Sequence, residues 1–234
     1  MPVADVSTAE ERFDYQKSLK TVHSYWFVHK YLPVDRYLVR PPASLVVRAV
    51  FKTGLTPNHL TVISFSLAVA AALVFLAGRR SLFPVAGGLS MVSAIFDNAD
   101  GMLARAKNMT SRYGAFLDLF LDRIADFAVL SGITFGLYRT SSDPRVLILG
   151  LLTIGLYFLQ VALYYLMNIY SGNPKNGEGA EAKNLAVFLI LVLSLIGRPV
   201  GVLFGVFTMA VAGTVSKLIR FLRMGRDREA ASFR

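Results

Sequence analysis

Four aspartates lie close together in the chain as two pairs: Asp97 and Asp100 are three residues apart, and Asp118 and Asp122 are four apart. On a helix, residues at either spacing share one face, with about 5–6 Å between their Cβ atoms. Only the short connection 107–111 would separate the two helices, so we expect them to be antiparallel neighbours. All four carboxylates can then converge at one end of the helix pair.

This aspartate cluster predicts a bound divalent cation. Four negative charges near a low-dielectric medium repel one another, and each is costly to bury without a positive partner. Arg105 and Arg123 can offset two of them. Oxygen ligands without histidine or cysteine nearby favour Mg²⁺ or Mn²⁺, which share their coordination with substrate phosphate groups. Two such ions would suit an in-line phosphoryl displacement.

The composition indicates that lipid surrounds most of the chain. Of its 234 residues, 54% are hydrophobic, and the mean hydropathy of +0.51 is too high for an ordinary soluble domain. The net charge is +10, and the basic residues flank apolar runs, which favours anionic lipid over nucleic acid as the partner. The absence of cysteine excludes disulfides, thiolate metal sites and a cysteine nucleophile.

Six apolar runs are candidates for the roughly 20-residue helices that cross a bilayer. They occupy residues 58–78, 83–106, 112–138, 146–170, 184–196 and 199–222. The fifth is the shortest, and Gly197-Arg198-Pro199 predicts a tight turn after it. We therefore expect an all-α integral membrane protein with a six-transmembrane-helix bundle.

An amphipathic helix is expected before the first span, over residues 43–52. Its apolar residues share a face opposite Arg48 and Lys52, which suits a helix lying in the membrane interface. The alternative is a helix packed on the bundle. The apolar face consists of Leu45, Val46, Ala49 and Val50.

The distribution of basic residues predicts the orientation and the domain plan. Eight lysines and arginines precede the first span and six follow Ser216, so we expect both termini and the aspartate cluster to be cytoplasmic. Residues 1–54 would be an N-terminal tail, of which 1–20 are loosely docked, together with the interfacial helix. Residues 55–223 would form the catalytic membrane domain, and 224–234 a basic cytoplasmic tail.

Small residues are interspersed with the aspartates. Gly101, Ala104 and Gly114 would let a flat nucleotide or a diphosphate approach the helix backbone closely. They would equally permit close packing between membrane helices. Their position beside four aspartates favours the first interpretation.

Eight residues of this region form one spaced pattern. With eight residues between Arg105 and Gly114, the pattern runs Asp97, Asp100, Gly101, Ala104, Arg105, Gly114, Asp118, Asp122. It resembles the complete signature of the CDP-alcohol phosphotransferases, and residues 56–61 resemble the start of that family's first span. The resemblance covers the membrane core of the chain.

The resemblance implies a role for each signature residue. Two divalent cations, Mg²⁺ or Mn²⁺, would be held on the diphosphate of a CDP-linked donor by Asp97, Asp100, Asp118 and, in part, Asp122. Asp122 would also be the general base that accepts the proton of the attacking hydroxyl, with CMP as the leaving group. The donor would be contacted by Gly101, Ala104, Gly114, Arg105, Ser111 and Asn58. Family members are commonly homodimers, so the resemblance implies a homodimer here.

The identity of the alcohol stays open at this point. One version transfers a phosphatidyl group from CDP-diacylglycerol to a polar alcohol, in phospholipid synthesis, and we favour it. The other transfers a headgroup phosphate from a soluble CDP-alcohol to a lipid or polyol. Residues 35–44 and 55–58 resemble archaeal inositol-phosphate-transferring relatives, and a phosphorylated acceptor would need a basic pocket, for which Lys107, Arg112, Lys175 and Lys183 are candidates. An ion-coupled transporter is the rival class, but it predicts acids spread through the membrane depth.

Three further features have structural interpretations. Asp126 lies one turn beyond Asp122 and either joins the site or pairs with Arg123 or with a polar group on a neighbouring helix. Gly132 and Gly136, like Gly201 and Gly205, have the spacing of helix-packing or dimer surfaces. The polar, glycine-rich stretch 171–183 is expected to be a flexible connection.

Overall fold

The computed structural model describes residues 33–171 and 180–232, and within these ranges all regular secondary structure is helical. The predicted tail 1–20, Lys175 and most of the connection 171–183 lie outside the described residues. Seven α-helices follow one another in the described part. They are α1 (Arg40–Val50), α2 (Pro57–Leu76), α3 (Phe83–Ala106), α4 (Arg112–Ser141), α5 (Pro144–Ser171), α6 (Ala180–Leu195) and α7 (Pro199–Ser232).

Four of the described helices are long and apolar enough to cross a membrane: Pro57–Leu76, Arg80–Ala106, Pro144–Ile169 and Val200–Arg223. The six predicted segments are all helical, but two of them do not meet this standard. Helix α4 is long but carries four charged residues within three turns, Asp118, Asp122, Arg123 and Asp126. The apolar part of α6, Lys183–Leu195, is shorter than a full span. The chain is therefore a multi-pass membrane protein whose six-span count is not established by helix length and composition.

Local signals explain where the helices begin and end. The backbone N–H of Thr56 donates to Nδ1 of His59 over 3.0 Å, so His59 helps to fix the start of α2 beside Pro57. Gly197 adopts φ +71° between α6 and α7, which confirms the predicted tight turn. Helix α7 continues to Ser232, so most of the stretch predicted as a tail, 224–234, is helical.

The described residues form two compact units. The first contains the described residues up to Ala68 together with Met91–Ala125, and the second contains Val69–Ser90 and the described residues from Asp126 onwards. In the first unit α1 packs on the start of α2 and the end of α3. This core consists of Ala43, Val47, Leu60, Ala99, Met102, Leu103 and Ala106.

The predicted apolar face of α1 is only partly covered by the first unit, where Val46 and Val50 pack against the core. Ala43 and Val47 are buried in the core of the first unit, whereas Leu45 is 62% exposed and Ala49 is exposed. The helix starts at Arg40, and the neighbours available to it decide which residues are covered. The packing on α2 and α3 agrees with the alternative of a helix packed on the bundle, and an interfacial location of α1 is not confirmed.

In the second unit, glycines allow helices to approach closely. A Cβ atom at Gly132 would meet the backbone of Ala72, and one at Gly136 would meet the carbonyl oxygen of Phe75. Helix α4 therefore rests directly on the backbone of α2 in this unit, as the small-residue spacing predicted. Gly201 makes only ordinary contacts with Leu193 of α6, which also agrees with helix packing.

Candidate metal centre

The connection between α3 and α4 brings the two pairs of aspartates together. Helix α3 ends at Ala106 and α4 begins at Arg112. Oγ of Ser111 accepts a hydrogen bond of 2.9 Å from the backbone N–H of Gly114, which caps the N-terminus of α4. Lys107 donates from Nζ to the carbonyl oxygens of Thr53 and Leu55, at 3.0 and 2.9 Å. The connection is thus hydrogen-bonded to the segment that precedes α2.

Three of the four aspartates form one group. One carboxylate oxygen from each of Asp97, Asp118 and Asp122 lies within 4.8 Å of the others, and all three side chains are partly buried. Oxygens at this separation can bind a single cation between them after small rotamer adjustments. Among the described residues no histidine joins the group, so the ligand set is purely carboxylate and fits Mg²⁺ or Mn²⁺.

Asp100 has a different environment. Its side chain is buried, and Oδ2 accepts a hydrogen bond of 2.6 Å from the Oγ1 hydroxyl of Thr61 on α2. It is not part of the group of three. The predicted role of Asp100 as a metal ligand therefore stays a prediction.

Arginines accompany the carboxylates. Nη2 of Arg123 lies 3.5 Å from Oδ2 of Asp122, and both side chains are about three-quarters buried, at 25% and 20% exposure. The guanidinium of Arg105 lies beside Gly101, where an added Cβ would be 3.4 Å from Nη1. Arg123 therefore offsets charge at the cluster, and Arg105 is placed over the backbone next to Asp100.

Three of the predicted donor-binding residues, Asn58, Ser111 and Gly114, lie close together. A Cβ atom at Gly114 would be 3.0 Å from Oγ of Ser111 and 3.2 Å from Oδ1 of Asn58. These three residues come from α4, its N-cap and the first turn of α2, and all belong to the first unit. Ala104 lies on α3, one turn beyond Gly101, and is partly exposed.

The surroundings of the glycines separate their two interpretations. Cβ atoms at Gly101 and Gly114 would meet polar side chains only, whereas those at Gly132 and Gly136 would meet the backbone of another helix. Close helix packing therefore explains the second pair and not the first. A ligand-approach role for Gly101 and Gly114 stays a prediction.

Other candidates are placed elsewhere. Asp126 accepts a hydrogen bond of 2.5 Å from the hydroxyl of Tyr157 on α5, which matches the predicted pairing with a polar group on a neighbouring helix. Because Lys107 donates to backbone carbonyl groups, we interpret it as structural and not as part of an acceptor pocket. Thr61 was not singled out from the sequence, although its position one turn after Asn58 on α2 was a usable signal.

The site and the fold can now be compared with known proteins. The family model for CDP-alcohol phosphatidyltransferases matches residues 54–216. An archaetidylinositol phosphate synthase of Pyrococcus horikoshii is 37% identical over 98 residues, which are 42% of this chain and 50% of that protein. A phosphatidylinositol phosphate synthase of Corynebacterium glutamicum is 26% identical over 200 residues, covering 83% of this chain and 90% of the relative. The chain thus matches half the length of the archaeal relative and most of the bacterial one.

Solved structures agree with these matches at the level of the fold. The phosphatidylinositol phosphate synthase of Mycobacterium tuberculosis, with CDP-DAG bound, has a TM-score of 0.61 at 23% identity, covering 76% of this chain and 91% of that one. The same enzyme in complex with manganese and citrate has a TM-score of 0.62 at 23% identity, covering 76% and 87%. Since the family match spans most of the sequence and includes every signature residue, this chain belongs to the CDP-alcohol phosphatidyltransferase family.

Proposed function

We propose that this enzyme transfers a phosphatidyl group from CDP-diacylglycerol to the hydroxyl group of a polar alcohol, with release of CMP, in phospholipid synthesis. The observation that carries the proposal is the group formed by Asp97, Asp118 and Asp122, whose carboxylate oxygens lie within 4.8 Å of one another. Such a group is suited to a cation that also binds a diphosphate.

Asp97, Asp118 and Asp122 would hold divalent cations, Mg²⁺ or Mn²⁺, and Asp100 would complete the ligand set. When bound, the cations supply positive charge to the donor diphosphate and to the leaving phosphate. The family signature suggests two ions, and the four aspartates of the signature, together with donor phosphate oxygens and water, would provide oxygen ligands for both. The ion pair between Arg123 and Asp122 helps to orient the Asp122 carboxylate for its second role.

In the reaction, Asp122 accepts the proton of the alcohol as the alcohol oxygen attacks the phosphorus that carries the diacylglycerol. A new phosphorus–oxygen bond forms to the alcohol, and the bond from that phosphorus to the bridging oxygen breaks. The bridging oxygen leaves with CMP. The product is a phosphodiester, and the proton remains on Asp122 until it is passed to solvent.

The donor nucleotide would lie beside Gly114, in the space bordered by Asn58 and Ser111. Gly101 and Ala104 would allow the nucleotide to approach α3, and Arg105 would contact a donor phosphate. The surroundings of Gly101 and Gly114, which contain side chains but no packed backbone, support this placement.

We propose an inositol phosphate as the acceptor. The names of the relatives, archaetidylinositol phosphate synthase and phosphatidylinositol phosphate synthase, support this acceptor and the lipid donor. Transfer of a headgroup phosphate from a soluble CDP-alcohol, the other version that the family resemblance leaves open, is the second candidate. The comparisons do not support the transporter alternative.

The remaining expectations belong to the same proposal. Residues 55–223 would be the catalytic membrane domain, six helices would cross the membrane, and both termini and the active site would face the cytoplasm. The enzyme would act as a homodimer surrounded by membrane lipids, without a nucleic-acid partner. The family match over residues 54–216 supports the domain limits.

The experiment is a matrix of donors and acceptors assayed with purified protein in mixed micelles containing Mg²⁺ or Mn²⁺. CDP-diacylglycerol and a soluble CDP-alcohol are each combined with inositol phosphate, glycerol phosphate, inositol and serine, and both CMP and the phosphodiester are quantified. The proposal predicts product only from the lipid donor with inositol phosphate, and none after Asp97→Ala or with EDTA. Formation of product only from the soluble donor would refute it.

A further inference from the structure

The hydroxyl group of Thr61 lies against Asp100, outside the group of three aspartates. Thr61 is 6% exposed and Asp100 is 5% exposed, so both side chains are buried. The Oγ1–Oδ2 distance of 2.6 Å is typical of a hydroxyl that donates to a carboxylate. Oγ1 is also 3.2 Å from the carbonyl oxygen of Pro57, but its single hydrogen favours the shorter contact.

Helix α2 thereby reaches the site at two points. Asn58 is next to Gly114 at the proposed donor pocket, and Thr61 follows Asn58 by one helical turn. A hydrogen bond to a carboxylate oxygen restrains the rotation of that carboxylate and so orients it towards a cation. Carboxylates that bind metals commonly receive such a bond from a neighbouring residue.

We infer that Thr61 is a positioning residue that orients Asp100 for binding a divalent cation. The inference rests on the proposed function only in taking Asp100 as a ligand. It assigns Thr61 no contact with substrate. Removal of an outer hydrogen-bond partner of this kind typically lowers metal affinity by about 10–100-fold.

The test compares Thr61→Val, which keeps the shape but removes the hydroxyl, with Thr61→Ser, which retains it. Mn²⁺ binding to the purified protein is measured from the electron paramagnetic resonance signal of free Mn²⁺, without donor or acceptor present. We expect Thr61→Val to raise the Mn²⁺ dissociation constant about 10–100-fold and Thr61→Ser to restore binding. In turnover, the Mn²⁺ concentration for half-maximal rate should rise while the rate at saturating Mn²⁺ stays near that of the parent enzyme.

Thr208→Val is the matched control, because Oγ1 of exposed Thr208 also bonds to the backbone four residues earlier, at Phe204. It should leave Mn²⁺ binding unchanged. The double variant Thr61→Val with Asp100→Asn should bind Mn²⁺ no more weakly than Asp100→Asn alone, since Thr61 acts through Asp100. Should Thr61→Val not yield folded protein, Thr61→Ala takes its place with the same expected outcomes.

Equal Mn²⁺ binding by Thr61→Val and the parent protein would overturn the inference, as would weakened binding in Thr61→Ser. If the losses of Mn²⁺ binding free energy in the two single variants add up in the double variant, Thr61 does not act through Asp100. The binding measurement needs no turnover, so it remains informative if CDP-diacylglycerol is not the donor. If Mn²⁺ binding depends on Thr61 as expected but no phosphodiester forms in the turnover assay, the proposed function is refuted and the inference about Thr61 stands.

Discussion

Substitution of Gly114 by alanine should separate donor binding from stability. A Cβ atom at this position would lie 3.0 Å from Oγ of Ser111 and 3.2 Å from Oδ1 of Asn58, both of which must move by a few tenths of an ångström. Alanine stabilises a helix over glycine by about 1 kcal/mol. Displacing the Ser111 hydroxyl weakens the cap on α4, which costs about 1 kcal/mol. The two terms nearly cancel, so the melting temperature should change little.

No such compensation applies to the free energy of donor binding. The added methyl group of Gly114→Ala would occupy the space in which we propose that the donor nucleotide lies. Overpacking of this kind costs about 1–3 kcal/mol. At 1.4 kcal/mol for each tenfold change, the KM for CDP-diacylglycerol should rise by about 5–150-fold.

Initial rates over a range of CDP-diacylglycerol concentrations in mixed micelles give KM, and a thermal melt in the same detergent gives stability. Gly155→Ala is the matched control, because a Cβ atom there meets nothing within 4 Å and Gly155 is also inside a helix. This control should keep the parental KM. The reasoning is wrong if Gly114→Ala leaves KM unchanged, or if its KM rises only because the protein has lost its fold.

Two further substitutions test close contacts, one within each compact unit. Gly136→Ala should lower the free energy of unfolding by about 1–3 kcal/mol or more, because its Cβ would collide with the carbonyl oxygen of Phe75; a thermal melt equal to that of Gly155→Ala would contradict the close approach. Lys107→Met should lower it by about 1.5–3 kcal/mol, since the carbonyl groups of Thr53 and Leu55 lose a charged donor. An unchanged denaturation midpoint for Lys107→Met would show that water replaces the ammonium group without cost.

The aspartate cluster was largely predictable because it depends on local geometry. Helical spacing fixes which side chains share a face, and the short connection after α3 forces α4 to return beside it. The structure accordingly brings Asp97, Asp118 and Asp122 together. The first residues of α3 and α4, Phe83 and Arg112, coincide with the starts of the predicted spans.

Contacts between distant segments were not predictable in the same way. The hydrogen bond from Thr61 to Asp100 depends on the register of α2 against α3. An amphipathic pattern cannot predict this register when the apolar residues of a helix are spread over all its faces. The choice of Asp122 over Asp126 as the partner of Arg123 depends on side-chain rotamers. Which residues of α1 are covered could not be predicted from the sequence, because Val47 and Leu45 are equally apolar, and only the neighbouring helices distinguish them.

The central claim, that Asp122 carries out chemistry while its cluster binds the donor through cations, is tested most directly by Asp122→Asn. The decisive measurement is the rate of phosphodiester formation at saturating CDP-diacylglycerol and Mn²⁺, with donor binding determined on the same preparation. Asp126→Asn is the control, because asparagine at that position can still accept the hydrogen bond from Tyr157. We expect Asp122→Asn to lose about 10²–10⁴-fold in rate with donor binding largely retained, and Asp126→Asn to keep both. A near-parental rate in Asp122→Asn, or an equal loss in Asp126→Asn, would contradict the account.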